Sequence, residues 1–330
     1  MTTRPDAVID RITLIVSDLD RAEEDYVRTF GCTVEHRADI EPSLTGVLCV
    51  RRLARGRRSV LRLGRERIEL LEFTDSMGRP YPPGSTSTDL WFQHMAIVVN
   101  DMRRAYQLVM ANRRFRPISR NGPVRLPDSS GGVTAFKVRD HDGHPLELLA
   151  FPEGHVPAQW RTADGTGVFL GVDHTAIAVS DSARSARFFG SVFGFSTGNR
   201  TENRGPEQAD LDDVDDVRVS VTRLAPDLPA PRMELLHYHV GTRRPIPPDT
   251  ASNDIVATHC VVRVASLDAT AAALARRGTP LADHDLMILR GGMRAALVAG
   301  PDGHRFLVEE RAAAAMCAES SPAQPQEQNS

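Results

Sequence analysis

A long-range internal repeat constrains this chain more than any other feature of its sequence. Residues 79–89 read RPYPPGSTSTD and residues 244–254 read RPIPPDTASND, an offset of 165 residues. The same offset relates Glu69 to Glu234 and His94 to His259. A register that holds over so many positions indicates a duplicated unit, so the second half of the chain should repeat the architecture of the first.

Each half divides again into two modules. Every module opens with an alternating β-branched run, a polar break and a helical pattern, and it closes with a further apolar strand. The four openings begin at Asp10, Gln93, Asp173 and Thr258, and the closing strands cover 67–73, 145–151, 232–238 and 305–310. The sequence therefore predicts an α+β fold of four βαβββ modules. The predicted helix caps are Asp18 or Asp20, Asp101, Asp181 or Ser182, and Ser266 or Asp268.

The predicted domain organisation follows this repeat. Residues 1–151 hold modules 1 and 2, residues 152–170 form a linker, residues 171–310 hold modules 3 and 4, and residues 311–330 form a disordered tail. The chain is 41% hydrophobic and 25% charged, values that are ordinary for a soluble globular protein. Its four cysteines show no CxxC spacing and no apolar run reaches the roughly 18 residues of a membrane span, so we expect a cytoplasmic protein.

Charge argues against a nucleic-acid partner. The net charge is -3, so the molecule as a whole offers no field that would gather nucleic acid. Arginine supplies nearly all of the positive charge, and the chain has a single lysine, Lys137. We attribute this bias to the base composition of the genome rather than to function.

The modular pattern resembles the vicinal oxygen chelate superfamily, which contains glyoxalases, bleomycin resistance proteins and extradiol dioxygenases. The resemblance covers about residues 8–310. It implies two half-barrel sites, each built by two modules around a metal. The ligands of this superfamily come from one position in the first strand of a module and from a glutamate in its last strand.

These positions can be read off the four modules. The first-strand positions are Arg11, His94, His174 and His259, and the last-strand positions are Glu69, Glu147, Glu234 and Leu307. Arg11 repels a divalent cation and Leu307 has no donor atom, so two of the eight positions cannot bind metal in the manner of the superfamily. A Glu69–Arg11 ion pair is the expected substitute for a metal where these two residues meet.

The pairing of modules decides which ligands meet. Pairing modules 2 and 3 unites a full set, His94, Glu147, His174 and Glu234, and leaves Arg11, Glu69, His259 and Leu307 in a dead site. Pairing modules 1 with 2 and 3 with 4 leaves both sites incomplete: Glu69, His94 and Glu147 beside Arg11, and His174, Glu234 and His259 beside Leu307. We favour the first pairing, because selection can let one whole site decay while it keeps the other. The full set suits one divalent ion of Zn, Ni, Co, Fe or Mn.

The metal set indicates a class of reaction. Two histidines and two glutamates leave about two positions open in an octahedral shell, enough for two adjacent oxygens of one substrate. We expect a metal-dependent isomerase or epimerase that moves a proton beside the carbonyl of an α-hydroxyketone, with Glu147 and Glu234 as its proton-transfer residues. Among four-module relatives, the chain is similar to the cyclitol epimerases that act on 2-epi-5-epi-valiolone.

Two other reactions and one binding function remain open. An Fe(II) extradiol-type dioxygenase uses two histidines and one carboxylate, although Leu307 stands where that resemblance places the carboxylate. A glyoxalase-like lyase is the other alternative. A metal-free drug-binding resistance protein is disfavoured by the full His and Glu set. The expected partner is a small molecule with two vicinal oxygens, without nucleic acid or membrane, and a homodimer is allowed.

Overall fold

A computed structural model of the chain describes residues 7–50, 54–161, 167–226, 231–241, 243–281 and 286–311. The predicted disordered tail lies outside the described residues except for Arg311, as does part of the predicted linker, residues 162–166.

Each module contains the predicted βαβββ elements. Module 1 holds β1 (Val8–Ile15), α1 (Leu19–Phe30), β2 (Thr33–Asp39), α2 (Pro42–Val47), β3 (Gly56–Leu63) and β4 (Glu66–Phe73). Module 2 holds β5 (Gln93–Val99), α3 (Met102–Ala111), β6 (Arg116–Pro117), β7 (Val124–Arg125), β8 (Thr134–Arg139) and β9 (Pro145–Ala150). Module 3 holds β10 (Phe169–Ala178), α4 (Ser182–Val192), β11 (Ser196–Arg204), α5 (Pro206–Asp212), β12 (Arg218–Ala225) and β13 (Arg232–Tyr238). Module 4 holds β14 (His259–Val264), α6 (Leu267–Ala275), β15 (Leu286–Ile288), β16 (Arg294–Ala299) and β17 (Arg305–Glu310).

The first helix of every module begins at a predicted cap. In each case the side-chain oxygen of the cap accepts a hydrogen bond from the backbone N–H three residues further on, which satisfies one of the free donors of the first turn. The four caps are Asp18, Asp101, Asp181 and Ser266. Gly31 caps the C-terminus of helix α1, and its φ of 75° lies in the left-handed region that glycine adopts without strain.

The two short helices α2 and α5 were not predicted. Each begins with a proline, Pro42 or Pro206, and neither has a side-chain cap. With six and seven residues they are too short to show a helical period in the sequence. They lie between the second and third strands of modules 1 and 3, so they belong to the repeated unit.

The strands form two sheets, and their order shows which modules pair. Sheet I has the order β15-β16-β17-β14-β1-β4-β3-β2 and joins modules 4 and 1. Sheet II has the order β11-β12-β13-β10-β5-β9-β8-β6, with β7 on β8, and joins modules 3 and 2. The favoured pairing of 2 with 3 and 1 with 4 is confirmed. The alternative dioxygenase site built from modules 3 and 4 is therefore wrong, because those modules lie in different sheets.

The closing strands separate a hydrophobic core from two clefts. In β4, Ile68 and Leu70 belong to the largest core cluster, which draws residues from both sheets and from α1, α3, α4 and α6. In β9, Leu146 and Leu148 do the same. Because strand residues alternate between faces, the intervening Glu69 and Glu147 project away from this core. Each sheet thus presents one face to the shared core and the other to a cleft.

Candidate metal centre

The cleft of modules 2 and 3, called the 2+3 cleft below, contains all four residues of the predicted metal set. They lie on the adjacent strands β5, β9, β10 and β13 and line one cavity: His94, Glu147, His174 and Glu234. Strands β5 and β10 are antiparallel, and Ala96 lies opposite His174 while Ala176 lies opposite His94. The same alanines flank the carboxylate residues on the outer strands. Two-fold symmetry between modules 2 and 3 thus brings two histidines and two glutamates together.

Three of these four side chains converge. His94, Glu147 and His174 are buried, and one ligand atom from each lies within 4.8 Å of the other two. The Nε2 atom of His94 is 2.8 Å from Oε2 of Glu147. This is the one group of His, Cys, Asp and Glu residues with metal-binding spacing in the described part of the chain.

Glu234 lies beside the triad, and a different contact holds it. Its Oε2 atom is 3.5 Å from Nε2 of His174, while its Oε1 atom accepts a hydrogen bond from Nε of Arg223 at 3.1 Å. Arg223 lies directly across from Glu234 in the β12–β13 ladder. The cross-strand guanidinium therefore draws one carboxylate oxygen away from the centre of the cleft.

A neighbouring carboxylate orients His174. The Nδ1 atom of His174 donates to Oδ2 of Asp173 at 2.9 Å, and Trp160 Nε1 donates to the other Asp173 oxygen at 3.1 Å. Arg232 forms an ion pair with the same carboxylate. A histidine that donates one ring N–H to a carboxylate presents its second nitrogen as a lone pair, the arrangement typical of metal-binding histidines. This contact turns the other ring nitrogen of His174, Nε2, towards His94 and Glu147.

His94 tests whether a metal fits these residues. Both of its ring nitrogens are buried and make no hydrogen bond of normal geometry among the described residues, although Nε2 is only 2.8 Å from Glu147. A buried imidazole without partners is unfavourable. The close approach of a nitrogen and a carboxylate oxygen outside hydrogen-bond geometry is what two ligands of one cation show. The residues present fit a divalent metal.

The protonation states of His94 and Glu147 agree with this fit. Burial lowers the pKa of His94, so its imidazole is neutral at neutral pH, as a ligand must be. Burial alone would raise the pKa of Glu147, but its close contact with His94 and the charge of the Lys137 ammonium group lower it to about 2. Glu147 is therefore an ionised carboxylate in the buried site. Around His174, the carboxylates of Glu234 and Asp173 offset the effect of burial and raise its pKa, so this residue releases a proton when it binds a metal.

Beyond the triad, β8, β12 and the short helix α5 enclose the cavity. Its volume is about 80 Å³. A single buried water needs about 10–15 Å³ of such volume, so the cavity accommodates several waters or one small organic molecule. Its wall is partly apolar, with Leu126, Leu211 and Val219, and partly polar, with Lys137 and Gln208.

The cleft of modules 1 and 4, called the 1+4 cleft below, holds an ion-pair network at the corresponding place. Arg11 donates from Nε to Glu69 at 3.1 Å and from Nη2 to Glu309 at 2.7 Å. Glu69 also accepts a 2.8 Å hydrogen bond from Thr13 and lies 2.5 Å from a guanidinium nitrogen of Arg58. The predicted Glu69–Arg11 pair is confirmed, and Glu309 is a second anion for the same guanidinium.

The other two positions of the 1+4 cleft form no group with metal-binding spacing among the described residues. Leu307 is fully buried in a hydrophobic cluster with Leu71 and Val261. His259 uses Nδ1 to contact the carbonyl of Ala257 at 3.1 Å. The cavity in this cleft is larger, about 490 Å³. The dead site is thus a cleft whose metal position is filled by a guanidinium group.

Comparison with known proteins agrees with this architecture. The sequence profile of the Glyoxalase/Bleomycin resistance protein/Dioxygenase superfamily matches residues 8–148 and 171–308. The chain belongs to this superfamily. The two matched ranges correspond to the two halves of the repeat. The order of strands in the sheets shows that each half contributes one module to each sheet.

Solved structures of the superfamily share the whole fold. Glyoxalase I from Zea mays is 15% identical and aligns with a TM-score of 0.60 over 93% of each chain. Two single-residue variants of that enzyme are 16% identical, with TM-scores of 0.60 and 0.62 over 93% of this chain and 94% and 93% of theirs. A candidate dioxygenase from Bacillus subtilis is 14% identical, with a TM-score of 0.55 over 93% of this chain and 86% of its own. At these identities the likeness shows the fold alone.

Two further observations complete the comparison. No curated protein sequence matches the chain. None of the helices in the described ranges is long and apolar enough to cross a membrane.

The sequence alone did not identify several functional residues of the 2+3 cleft. Lys137 was assigned to genome composition, yet it lies buried in the 2+3 cavity. Asp173, Arg223 and Asp212 were also missed. Asp173 gave a local signal, because it immediately precedes His174. Arg223 and Asp212 depend on strand register and on the position of α5, and no sequence motif marks them.

Proposed function

We propose that the 2+3 cleft binds one divalent metal ion through His94, Glu147 and His174, with Glu234 as the fourth ligand, and that the protein is a metal-dependent epimerase. The observation that carries the proposal is the buried His94–Glu147–His174 triad with a second glutamate at its edge. Zn, Ni, Co, Fe and Mn all accept imidazole and carboxylate ligands. The substrate class is an α-hydroxyketone, whose two vicinal oxygens match a chelating site.

The metal, when bound, acts as a Lewis acid that polarises the carbonyl of the substrate and makes the adjacent C–H more acidic. The two glutamates perform the proton transfer. Glu147 and Glu234 project from the outer strands β9 and β13 on either side of the histidine pair. One carboxylate, in its ionised form, removes the C–H proton from one face of the substrate, and the other glutamate, protonated from solvent beforehand, delivers a proton to the opposite face. The first glutamate then releases its proton to solvent. The carbon is inverted without net oxidation, so no redox cofactor is needed.

The contacts of the two glutamates suit different tasks. In the protein without substrate, Glu147 is ionised and its oxygen lies 2.8 Å from His94, which suits the tighter of the two glutamate ligands. Glu234 shares its charge with Arg223, at 3.1 Å, and it reaches the triad only at 3.5 Å. A carboxylate that has an alternative cationic partner can leave the centre at lower cost than one without, so Glu234 is the better candidate for the first proton acceptor.

Among α-hydroxyketones we propose a polyhydroxylated cyclic ketone, and 2-epi-5-epi-valiolone as the substrate to test first. The resemblance of the four-module chain to cyclitol epimerases supports this choice. The small and partly polar cavity supports it too.

A ring-cleaving Fe(II) dioxygenase is the second candidate function. The triad alone supplies two histidines and one carboxylate, the count used by non-haem Fe(II) oxygenases. The second carboxylate, Glu234, has no part in that chemistry, so the epimerase accounts for more of the site. A glyoxalase-like lyase would use the same four residues, and product analysis separates it from an epimerase.

The two functions make opposite demands on oxygen and solvent protons. We expect purified protein to wash deuterium from D₂O into the carbon beside the carbonyl of 2-epi-5-epi-valiolone under anaerobic conditions, with formation of the epimer. A dioxygenase would instead consume O₂ with a catechol and release a yellow ring-fission product. Oxygen uptake with a catechol, together with no exchange on the cyclitol, would overturn the epimerase proposal.

A further inference from the structure

Lys137 is the only lysine in a chain with 40 basic residues. It lies on β8 directly across from Glu147 in the antiparallel β8–β9 ladder, and its side chain lines the 2+3 cavity. Every other cation of the chain is arginine. A buried ammonium differs from a guanidinium because it is compact and has three donors that rotate freely.

The contacts of Lys137 connect it to the helix α5 of the other module. Its Nζ atom donates to Oδ1 of Asp212 at 2.5 Å. The other oxygen of Asp212 accepts from Gln208 Nε2 at 2.7 Å and from the hydroxyl of Tyr238 at 3.0 Å. All four side chains are buried. One carboxylate therefore holds an ammonium group and an amide side by side at the wall of the cavity.

This cluster has hydrogen-bonding capacity left over. The bond to Asp212 is the one hydrogen bond of the Lys137 ammonium among the described residues, and an ammonium group carries three donors. The Oε1 atom of Gln208 is buried without a hydrogen-bond partner in the described structure. Because Lys137 and Gln208 both contact Asp212, unused donors and an unused acceptor surround one carboxylate. A hydroxyl group can satisfy both kinds, because it accepts and donates.

The charges around the cavity are already compensated. Outside the triad, the ion pairs are Lys137 with Asp212, Arg223 with Glu234, and Arg232 with Asp173. A phosphate or carboxylate on the ligand would have to compete with these carboxylates for the cations. The cavity therefore favours a neutral ligand with hydroxyl groups.

Among the described residues, the 1+4 cleft has no counterparts of Lys137, Gln208 and Asp212, and it also lacks the predicted metal set. In the 2+3 cleft Lys137 lies across from Glu147 of the last strand. At the equivalent place in the 1+4 cleft Leu297 lies across from Leu307. Counted from the proline that begins each short helix, Gln208 corresponds to Leu44 and Asp212 to Leu48. Leu44 and Leu48 are buried in an apolar cluster. The polar cluster and the metal ligands occur together in one cleft and are absent together from the other.

We propose that Lys137, Gln208 and Asp212 form a hydroxyl-recognition site that selects neutral polyhydroxylated substrates in the 2+3 cleft. Lys137 and Gln208 contact a hydroxyl of the ligand, and Asp212 is a positioning residue that holds both. The site lies beside the metal triad, so the recognised hydroxyl belongs to the same molecule whose two vicinal oxygens reach the metal. The inference rests on the proposed function for the identity of the cleft as a substrate site.

Binding of unreactive cyclitols tests the proposal without requiring turnover. The probes are myo-inositol, trans-cyclohexane-1,2-diol and myo-inositol 1-phosphate, with dissociation constants measured by ligand-detected NMR on the full chain with its metal content determined. The wild type should bind myo-inositol about 10-fold more tightly than the diol, the factor expected from one hydrogen bond at the strong end of the usual range. The phosphate ester should bind no more tightly than myo-inositol.

Two variants remove the recognition groups. Gln208→Met removes the acceptor and leaves the Lys137–Asp212 pair intact, and Lys137→Met with Asp212→Asn removes the pair without leaving a buried charge. Each should weaken myo-inositol binding about 10-fold and leave diol binding and metal content unchanged. Leu44→Met, at the position of Gln208 in the other cleft, is the matched control and should change none of these values.

Several outcomes overturn the proposal. They are a wild type that does not prefer myo-inositol to the diol, a variant that loses both probes equally, and a phosphate ester that binds more tightly than myo-inositol. Gln208→Met keeps the test decisive if the double variant does not fold. Failure of the proposed epimerase is seen separately, as missing deuterium exchange in a wild type that still shows the cyclitol preference.

Discussion

Arg11 determines the chemical difference between the two clefts. Its guanidinium lies between Glu69 and Glu309, at the place where the 2+3 cleft gathers its triad. Burial works against the charge of Arg11, but Glu69, Glu309 and Asp10 more than offset this effect and hold its pKa well above the ordinary value. The side chain is therefore a permanent internal cation, and a divalent metal has no place beside it.

Single substitutions in the two clefts should show which cleft binds the metal. We expect Glu147→Gln and His174→Ala to lower metal affinity by more than the roughly 10–100-fold that loss of a residue orienting a ligand causes. Glu69→Gln should leave metal content unchanged, because Glu69 binds Arg11 and Arg58 instead. Elemental analysis after dialysis measures this. Loss of metal in Glu69→Gln with retention in His174→Ala would contradict the assignment of the site.

Glu69 should instead contribute to stability in a pH-dependent way. Burial raises its pKa, but Arg11 and Arg58 more than offset this and lower it from 4.5 to about 2. A carboxylate whose pKa is lower in the folded protein than in the unfolded protein stabilises the fold at every pH above its unfolded pKa. For Glu69 this contribution to the free energy of unfolding is about 3 kcal/mol, at 1.36 kcal/mol per pKa unit, and it is lost as the pH falls from about 4.5 towards 2.

Denaturant unfolding of Glu69→Gln measures this contribution. The variant should be less stable than the wild type at pH 7, because Arg11 loses a buried partner. The difference should narrow below pH 4.5. A difference that stays constant down to pH 3 would show that the ion pair is not its source.

Some residues of the 2+3 cleft are marked by their place in the sequence and others are not. His94, Glu147 and His174 could be found because the repeat places each at a fixed position of its module. Lys137 could not, since its role depends on a partner 75 residues away on α5. Composition pointed to the unusual residue, and only the fold shows that it is buried in the cleft.

At the scale of elements, α5 connects module 3 to module 2. The Ser119 hydroxyl donates to the carbonyl of Leu211 at 3.1 Å, and the backbone N–H of Arg120 donates to the carbonyl of Asp210 at 2.9 Å. Ser119 also accepts from the backbone N–H of Lys137 at 2.9 Å. The loop after β6 thus fixes both the helix and the strand that carry the polar wall of the cavity.

Ser119→Ala should weaken this attachment. The substitution leaves a buried carbonyl and a buried N–H without their hydrogen-bond partner, which costs about 1–3 kcal/mol for each group left unsatisfied. Arg120→Ala is the neighbouring control. Among the described residues its side chain forms ion pairs with the exposed Asp213 and Asp215, and such pairs contribute about 0–1 kcal/mol. Equal loss of stability in both variants would show that the buried hydroxyl is not the anchor.

Local signals predicted most elements and failed for the shortest. The caps at Asp18, Asp101, Asp181 and Ser266 and the four closing strands needed only a few neighbouring residues to be recognised. Helices α2 and α5 have no side-chain cap and less than two full turns. Their stability comes from packing against strands of another module, which a single sequence does not display.

Across the two sheets, the predicted metal-binding residues come together in the 2+3 cleft and not in the 1+4 cleft. Elemental analysis of the purified chain should therefore find about one tightly bound divalent ion per chain. The physical reason is that Arg11 and Leu307 meet in the same cleft, as the sheet order requires. Two equivalents per chain, or none after loading with metal, would contradict it.

The sheet order also means that neither half of the sequence contains a complete cleft. Strand β1 pairs with β14 and strand β5 pairs with β10, so every cleft is built from both halves. The loops around residues 79 and 244 add ion pairs between the halves, Arg79 with Asp254 and Arg244 with Asp89. The halves predicted from sequence as 1–151 and 171–310 therefore depend on each other structurally.

Separation of the halves tests this dependence. A fragment of residues 1–161 alone would expose β1 and β5 as unpaired sheet edges, which favour association with another chain. We expect it to run as an oligomer or aggregate in size-exclusion chromatography, and to form a 1:1 complex of about the mass of the intact chain, 36.2 kDa, when mixed with residues 167–330.

An intact chain cut at an engineered protease site within 162–166 should remain a single particle, because the strand pairs of both sheets hold its two parts together. A fragment of residues 1–161 that is monomeric and unfolds cooperatively would contradict the sheet order, since modules 1 and 2 would then form a self-sufficient unit.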